Sequence, residues 1–273
     1  MKVDLYGVDH SPWVQAVLLG LHQKKVEYSL RSLPPLAAFR KWGVLMPAVS
    51  IDGGPWEIES SKILVKLGFD PISEEDLEAI ESTWQGVLHR LDNFPQFFRA
   101  FSLVNHRSTT GFRRSLVSFF FSFTAVYMFL LINFAKLTIQ QKEPEDFGEQ
   151  YLPWESALAD SDRPFFDGDT AGARDLMLFG IIQCHSSIPV PPLESLQSDE
   201  RLGRLRAWIA AMHQLFEDYP HLYSGGLFSP KRPQPVAAGR AQQISFWLGL
   251  VSMWLAFPIT LPLAFFLMTR VPR

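Results

Sequence analysis

The chain has 273 residues, of which 47% are hydrophobic and 19% charged, and its net charge at neutral pH is −3. This balance, without a basic tract, gives no reason to expect a nucleic-acid partner. The single cysteine excludes an internal disulfide and is typical of a reducing, cytosol-facing compartment. Phenylalanine is abundant, with 23 residues, and a Phe-rich chain with few charges points towards a membrane.

The first 70 residues carry the pattern of a small α/β domain. Alternating polarity predicts strands, and apolar residues at helical spacing predict helices. An Asp52-Gly53-Gly54 sequence predicts a hairpin turn, and Gly68 ends the last helix. The predicted elements are strand 2–8, helix 11–24, strand 26–33, a short helix 37–42, strands 48–51 and 56–58, and helix 59–67. This order is that of a thioredoxin-like domain.

From Ser73 onwards the sequence predicts helices only, in a second domain over residues 73–225. Ser73 is followed by three acidic residues, which is the pattern of a capped helix N-terminus. An apolar helix is predicted over 115–135 within this domain. Residues 226–243, which contain three prolines, are predicted to be a linker.

Residues 244–268 are almost wholly apolar and are predicted to form a transmembrane anchor. At 1.5 Å per residue this stretch is long enough for a hydrocarbon core of roughly 30 Å. Pro258 and Pro262 are expected to kink the helix, which membrane helices tolerate. The alternative is a buried C-terminal helix, which the lack of a polar face disfavours.

The stretch 115–135 is also long enough to span a bilayer. A single span at this point would place the two halves of the predicted fold on opposite sides of the membrane. A helix buried in the second domain, or lying on the membrane beside the anchor, is therefore preferred, while a true span stays open. No signal peptide is recognised at the N-terminus, so the N-terminal domains are expected to face the cytosol.

Four short motifs resemble those of the glutathione S-transferase superfamily. They are Leu5-Tyr6-Gly7 followed by Ser11-Pro12, then Met46-Pro47-Ala48-Val49, then Glu59-Ser60, and finally residues 163–169 followed by Asp175. The resemblance covers about half of the chain. It implies an α/β plus all-α fold, with a thioredoxin-like N-terminal domain and a helical C-terminal domain of the transferase type. The layout is also similar to membrane-associated prostaglandin E synthase type 2 and to metaxin-like proteins.

The same resemblance implies a glutathione site. Ser11 is the candidate donor to the glutathione thiolate, because a hydroxyl at a helix N-terminus lowers the pKa of a thiol. Tyr6 is the alternative donor, although a core position suits it better, and Ser11 as a plain helix cap also stays open. Met46 and a cis Pro47 would present main-chain groups to the cysteinyl part of the ligand. Glu59 and Ser60 would meet the ammonium and carboxylate of the γ-glutamyl part.

One departure concerns the helix that begins near Asp175. Members of the family usually carry Ser or Thr three residues earlier, where this chain has Gly172. Half of the reciprocal capping box is therefore expected to be missing.

The resulting functional prediction is a membrane-anchored glutathione transferase. It would use glutathione as co-substrate to conjugate or isomerise an apolar electrophile beside membrane lipid, with a homodimer possible and no metal. The alternative is a non-catalytic scaffold or ligand carrier in membrane organisation or protein assembly. A polar cleft shared by Ser11, Met46 and Ser60 would favour the enzyme, and filling by Trp13, Trp42 or Trp56 would favour the scaffold. His10 is predicted to be exposed, and Cys184 to be an inert core thiol.

Overall fold

The computed structural model describes residues 1–84, 111–122, 146–161, 163–187, 190–228 and 239–268. Its N-terminal part contains a four-stranded mixed sheet with the order β2-β1-β3-β4. The strands are β1 (Lys2–Tyr6), β2 (Glu27–Arg31), β3 (Ala48–Ile51) and β4 (Glu57–Ile58). β1 runs parallel to β2 and antiparallel to β3, and β4 returns antiparallel to β3.

Three helices accompany the sheet: α1 (Pro12–Gln23), α2 (Leu36–Trp42) and α3 (Ser60–Lys66). Side chains of a strand alternate between the two faces of a sheet, and β1 shows this alternation. Val3 and Leu5 join the main core with α1, whereas Tyr6 joins a small cluster with Ala38 and Trp42 of α2. The strand order and the crossover through α1 confirm the predicted thioredoxin-like arrangement.

All the regular elements described after β4 are helical. They are α4 (Glu74–Ser82), α5 (residues 111–122), α6 (Leu152–Ala159), α7 (Ala173–Ser187), α8 (Pro191–Ser198), α9 (Gly203–Leu215), α10 (Gly225–Phe228), α11 (Arg240–Leu255) and α12 (Phe257–Met268), with 3-10 turns at Glu149–Tyr151 and Glu200–Leu202. The predicted start of α4 is confirmed, because Ser73 Oγ accepts a hydrogen bond from the Asp76 N–H at 3.0 Å.

The helix α7 lies at the centre of the molecule and packs directly on α1. At the crossing point a Cβ on Gly180 would lie 2.5 Å from the carbonyl oxygen of Pro12, so only glycine permits this approach. Leu18 of α1 and Leu176 and Phe179 of α7 are completely buried in one core. This shared core fixes the start of α1, and therefore Ser11, relative to the helical part.

The N-terminus of α7 is held by Asp175, whose carboxylate is buried. It accepts hydrogen bonds from the N–H groups of Phe166 at 2.9 Å and Gly172 at 3.0 Å, and from Trp208 Nε1 at 2.8 Å. Burial outweighs these bonds and raises the pKa of Asp175. The bond to Gly172 is the half of the capping box that the sequence predicted to remain.

The prediction of a single continuous helix over 244–268 is wrong, while the membrane location of this segment stays a prediction. The segment forms two helices, α11 and α12, which meet at Ala256 with a bend of 83°. The physical reason is Pro258. Its ring would clash with the carbonyl group four residues earlier in a continuous helix, and it has no N–H to donate to that carbonyl. Of the predicted linker 226–243, residues 226–228 belong to α10, residues 240–243 belong to α11, and residues 229–238 lie outside the described residues.

Of the predicted apolar helix 115–135, residues 115–122 belong to α5 and the others lie outside the described residues. Within the described ranges, no single helix combines the length and apolar composition needed to cross a membrane. Two pairs of consecutive helices, each pair sharply bent at its junction, have the required length and apolar composition when the two helices are taken together. One joins α11 to the first part of α12, and the other joins α7 to α8 at 111°.

Candidate functional site

The candidate site residues of the N-terminal unit lie at one end of its sheet. Tyr6 at the end of β1 is paired with Ala48 at the start of β3, and Ala48 is paired with Ile58 at the end of β4. At this end of the sheet the chain therefore leaves β1 towards Ser11, enters β3 from Pro47, and leaves β4 towards Ser60. The pairing register thus brings together three segments that the sequence separates.

Ser11 precedes α1 in the N-cap position, with φ −71° and ψ 130°, but its side chain does not cap the helix. Its carbonyl accepts the first helical hydrogen bond, from the Gln15 N–H at 2.8 Å. The Ser11 side chain is 8% exposed, and its hydroxyl makes no hydrogen bond to any described residue. The N–H groups of the first turn of a helix have no acceptor within the helix. Ser11 therefore places an uncommitted hydroxyl beside the positive end of α1.

The peptide bond between Met46 and Pro47 is cis, as predicted. Within the described chain, neither the N–H nor the C=O of Met46 forms a hydrogen bond. The Met46 side chain is partly buried and packs against the cluster that contains Tyr6 and Trp42. The side chain is thus a packing group, and the main chain is the part of Met46 that is left for a ligand.

Glu59 and Ser60 stand at the turn from β4 into α3. Glu59 has a φ of +79°, in the region that non-glycine residues rarely adopt, and its side chain is exposed. Ser60 is 7% exposed, and its hydroxyl has no hydrogen-bond partner among the described residues. The helix α3 has only seven residues, so its dipole is short and the Ser60 hydroxyl is the main donor here.

Tyr6, the alternative thiolate donor, already uses its hydroxyl inside the protein. It donates a hydrogen bond to the carbonyl oxygen of Val44 at 3.3 Å. Burial raises the pKa of Tyr6 above its usual value, so the phenol stays neutral. With Ala38, Trp42 and Ala48 it forms the cluster between the sheet and α2, which is the core role that the sequence favoured.

The polar network beside Ser11 was not predicted. His10, expected to be exposed, is completely buried and stacks on Tyr223 with ring centroids 4.8 Å apart. The Asp9 carboxylate accepts a hydrogen bond from the Tyr223 hydroxyl and lies 3.2 Å from His221 Nδ1. Burial acts to raise the pKa of Asp9, but the hydrogen bonds from His221 and Tyr223 and the nearby His10 outweigh it, so this pKa lies well below its usual range.

Gln15 extends this network into α1. Its amide nitrogen donates to the carbonyl oxygen of Asp9 at 2.5 Å, and its amide oxygen accepts from the Tyr219 hydroxyl at 2.9 Å. The segment 219–223 therefore braces the loop that carries Ser11. No local sequence pattern predicts these contacts, because Tyr219 and Tyr223 lie more than 200 positions after Gln15 and Asp9 in the sequence.

The remaining candidates occupy core positions. Cys184 is completely buried, and burial raises the pKa of its thiol, so it stays protonated. Trp42 is buried on the face of the sheet covered by α2, with Trp56 partly buried beside it. Trp13 packs against the main core.

No protein-family model matches this chain, and no curated protein matches it. Among solved structures, the chain is similar to a rice glutathione transferase in complex with glutathione, at 16% identity and a TM-score of 0.46, covering 92% of this chain and 98% of that one. It is also similar to a theta-class glutathione S-transferase from Xanthomonas axonopodis pv. citri with glutathione bound, at 16% identity and a TM-score of 0.43, covering 82% and 96%. A tau-class enzyme from mango matches at 15% identity and a TM-score of 0.43, covering 91% and 97%.

Proposed function

We propose that this chain binds glutathione at the edge of its sheet and directs the thiolate onto an apolar electrophile at a membrane. The observation that carries the proposal is the pair of uncommitted hydroxyls, Ser11 and Ser60, each more than nine-tenths buried on the same edge. Both hydroxyl oxygens still reach the surface, and neither is bonded to a described residue, so both can meet a small polar ligand at this end of the sheet.

Each site residue has one role in this proposal. Ser11, at the N-terminus of α1, donates a hydrogen bond to the thiolate and lowers the pKa of the thiol. The main chain of Met46 pairs with the cysteinyl peptide group in the manner of an added strand. Ser60 donates to the γ-glutamyl carboxylate, and the exposed Glu59 carboxylate meets the γ-glutamyl ammonium.

The reaction begins when the bound thiol loses its proton to solvent. The thiolate sulfur then forms a bond to the electrophilic carbon. In a substitution the leaving group departs with the electron pair of its bond, and in an addition the adduct takes up a proton. In an isomerisation the C–S bond breaks again and the thiol is restored. The N-terminal domains are placed on the cytosolic side, where glutathione is reduced.

Calorimetric titration of the full-length chain with glutathione tests the binding step. The Ser60→Ala variant is expected to bind at least about tenfold more weakly, because one charge-assisted hydrogen bond is lost. Ser61→Ala is the matched control, since it makes the same change one position further along α3. Equal binding by wild type and Ser60→Ala would remove Ser60 from the site.

The second candidate is a non-catalytic scaffold with the same fold. The observation behind it is that Trp42 and Trp56, two of the three tryptophans named by the scaffold hypothesis, pack with the Met46 side chain around Tyr6, next to the proposed site. A folded wild-type chain that shows no heat of glutathione binding at millimolar ligand would favour this candidate.

A further inference from the structure

The helices α5 and α11 expose apolar side chains where helices that face water carry polar ones. Large apolar side chains point outwards, including Phe120 at 59% exposed on α5 and Leu248 at 58% exposed on α11. The hidden positions include polar residues, namely Ser118 and Ser122 of α5 and Gln242 of α11. A helix at a protein–water surface buries its apolar stripe and exposes its polar one. The outer side of these two helices is therefore built for an apolar environment.

The two helices touch backbone to backbone at Gly249. A Cβ at this position would lie 2.2 Å from Ser122 Oγ and 2.3 Å from the carbonyl oxygen of Phe119. The buried residues of α11 form one stripe: Gln242, Phe246, Gly249 and Met253. Close contact through small residues is the usual packing of helices in lipid, where van der Waals fit replaces the hydrophobic effect.

The chemistry of the outer side selects a bilayer over a protein partner. No charged residue occurs between Arg240 and Arg270, so α11 and α12 offer no ionic rim for a protein interface. Trp247 and Trp254 on α11 are both about half exposed, and such side chains are favoured at the membrane interface. Arg113 and Arg240 are exposed near the starts of α5 and α11, where they suit anionic head groups.

We propose that α5 and α11 form a paired, lipid-facing unit, joined at Gly249, whose outer apolar side is covered by bilayer lipid. This inference rests on the membrane part of the proposed function, and it names the surface of the protein that contacts the membrane. It also assigns α5 to the membrane, a point that the sequence left open. Vesicle binding tests this inference, and calorimetry tests glutathione binding. A failure of one proposal can therefore be told apart from a failure of the other.

The first test is flotation of the full-length chain, synthesised cell-free in the presence of vesicles of phosphatidylcholine with phosphatidylserine. The wild type is expected to float with the vesicles. Leu248→Arg is expected to weaken the association by at least about fifty-fold, because an arginine at the centre of a lipid-facing helix is costly. Leu33→Arg is the matched control, since Leu33 is 78% exposed in the N-terminal unit, and this variant should float like the wild type.

Two outcomes would overturn the lipid assignment. One is a wild type that does not float, or a Leu248→Arg variant that floats equally well. The other is sedimentation velocity showing a wild-type dimer that Leu248→Arg converts to a monomer, without vesicle binding by either form. In that case a second copy of the chain covers the surface.

The second test addresses the pairing. An environment-sensitive maleimide probe is placed at Phe120→Cys or at Leu248→Cys, while the one native cysteine, Cys184, is completely buried. Both probes are expected to shift to shorter emission wavelength with vesicles. Adding Gly249→Leu should abolish the shift at position 120 and keep it at 248. Gly249→Ala serves as the milder variant, and unchanged shifts at position 120 in both variants would refute the pairing.

Discussion

The phenol of Tyr223 donates a hydrogen bond to the carboxylate of Asp9, which joins the end of the helical part to the loop that carries Ser11. The bond is made by an ionised acceptor with little exposure, and such bonds contribute more than neutral surface bonds. Asp9 also lies 3.2 Å from His221 Nδ1. The loop that carries Ser11, the proposed thiolate donor, is thus held by Tyr223 and His221 of the helical part.

Replacing Asp9 by Asn should therefore loosen this loop. We expect the free energy of unfolding to fall by roughly 1–3 kcal/mol, since two partners lose a charged acceptor. Because the folded-state pKa of Asp9 is depressed, its stabilisation is present above the unfolded pKa of about 4 and is lost as the pH falls below that value. Urea unfolding at pH 7 and at pH 3 measures both effects. A difference between variant and wild type that does not shrink at pH 3 would contradict this account.

The predictions that succeeded depended on local signals. The Asp52-Gly53-Gly54 turn and the Ser73 cap act within a few residues of themselves, so the sequence alone contains their causes. The cis bond before Pro47 was instead predicted from the family resemblance. The Asp9 network has no such local signal, because Tyr219 and Tyr223 bond to residues more than 200 positions earlier in the chain.

The C-terminal segment shows a different limit. Composition correctly identifies an uncharged run between Arg240 and Arg270, but composition does not determine how Pro258 is accommodated. A proline is compatible with a kinked helix and with a helix end, and the choice depends on what packs on either side. Here α11 is held on α5 at Gly249, and the chain turns by 83° beyond Leu255.

Ser11→Ala should separate a catalytic hydroxyl from a helix cap. Because Ser11 makes no capping bond, its loss should change the free energy of unfolding by less than about 0.5 kcal/mol. Ser73→Ala is the matched control, since Ser73 does cap its helix, and it should cost about 1 kcal/mol. Turnover with glutathione should fall by roughly one to two orders of magnitude in Ser11→Ala alone. The thiolate absorbance of bound glutathione should also titrate at higher pH in that variant.

The reverse result would also be informative. A Ser11→Ala variant as destabilised as Ser73→Ala, with an unchanged thiol titration, would identify Ser11 as a cap and remove it from the chemistry.

Gly172 is required because the Asp167 carboxylate fills the space of a missing side chain. A Cβ at 172 would lie 2.2 Å from Asp167 Oδ2, which itself accepts the Arg174 N–H at 3.0 Å. Asp167 thus replaces the usual Ser or Thr cap of α7 from another position. We expect Gly172→Ser to cost roughly 1–3 kcal/mol through overpacking, although serine is a good cap elsewhere.

A double-mutant cycle tests this replacement. Asp167→Ala alone should cost about 1 kcal/mol, because the Arg174 N–H loses its acceptor. In the double variant the clash is gone and the serine introduced at position 172 is free to cap, so the two costs should not add, and a coupling of roughly 1–2 kcal/mol is expected. Additive losses in chemical unfolding would show that position 172 and Asp167 act independently.

His185 should make the stability of the helical part depend on pH. It is completely buried, with Nδ1 3.2 Å from the Tyr151 hydroxyl and its ring stacked on Trp84, and burial lowers the pKa of His185 to about 3. The unfolded chain binds a proton here near pH 6.5, whereas the folded chain resists it. Stabilisation from neutral His185 is therefore fully present above about pH 6.5 and is lost as the pH falls towards 3.

Replacing His185 by Gln, which does not titrate, should flatten the curve of unfolding free energy against pH within this window by up to one proton's slope. The measurement is urea unfolding of both proteins from pH 8 to pH 4, taking the difference between them at each pH so that carboxylate contributions cancel. At pH 8 the difference reports only lost packing and hydrogen bonding, and it should narrow steadily below pH 6.5. A constant difference across the range would mean that His185 takes up its proton without unfolding, through a partner that relieves its burial.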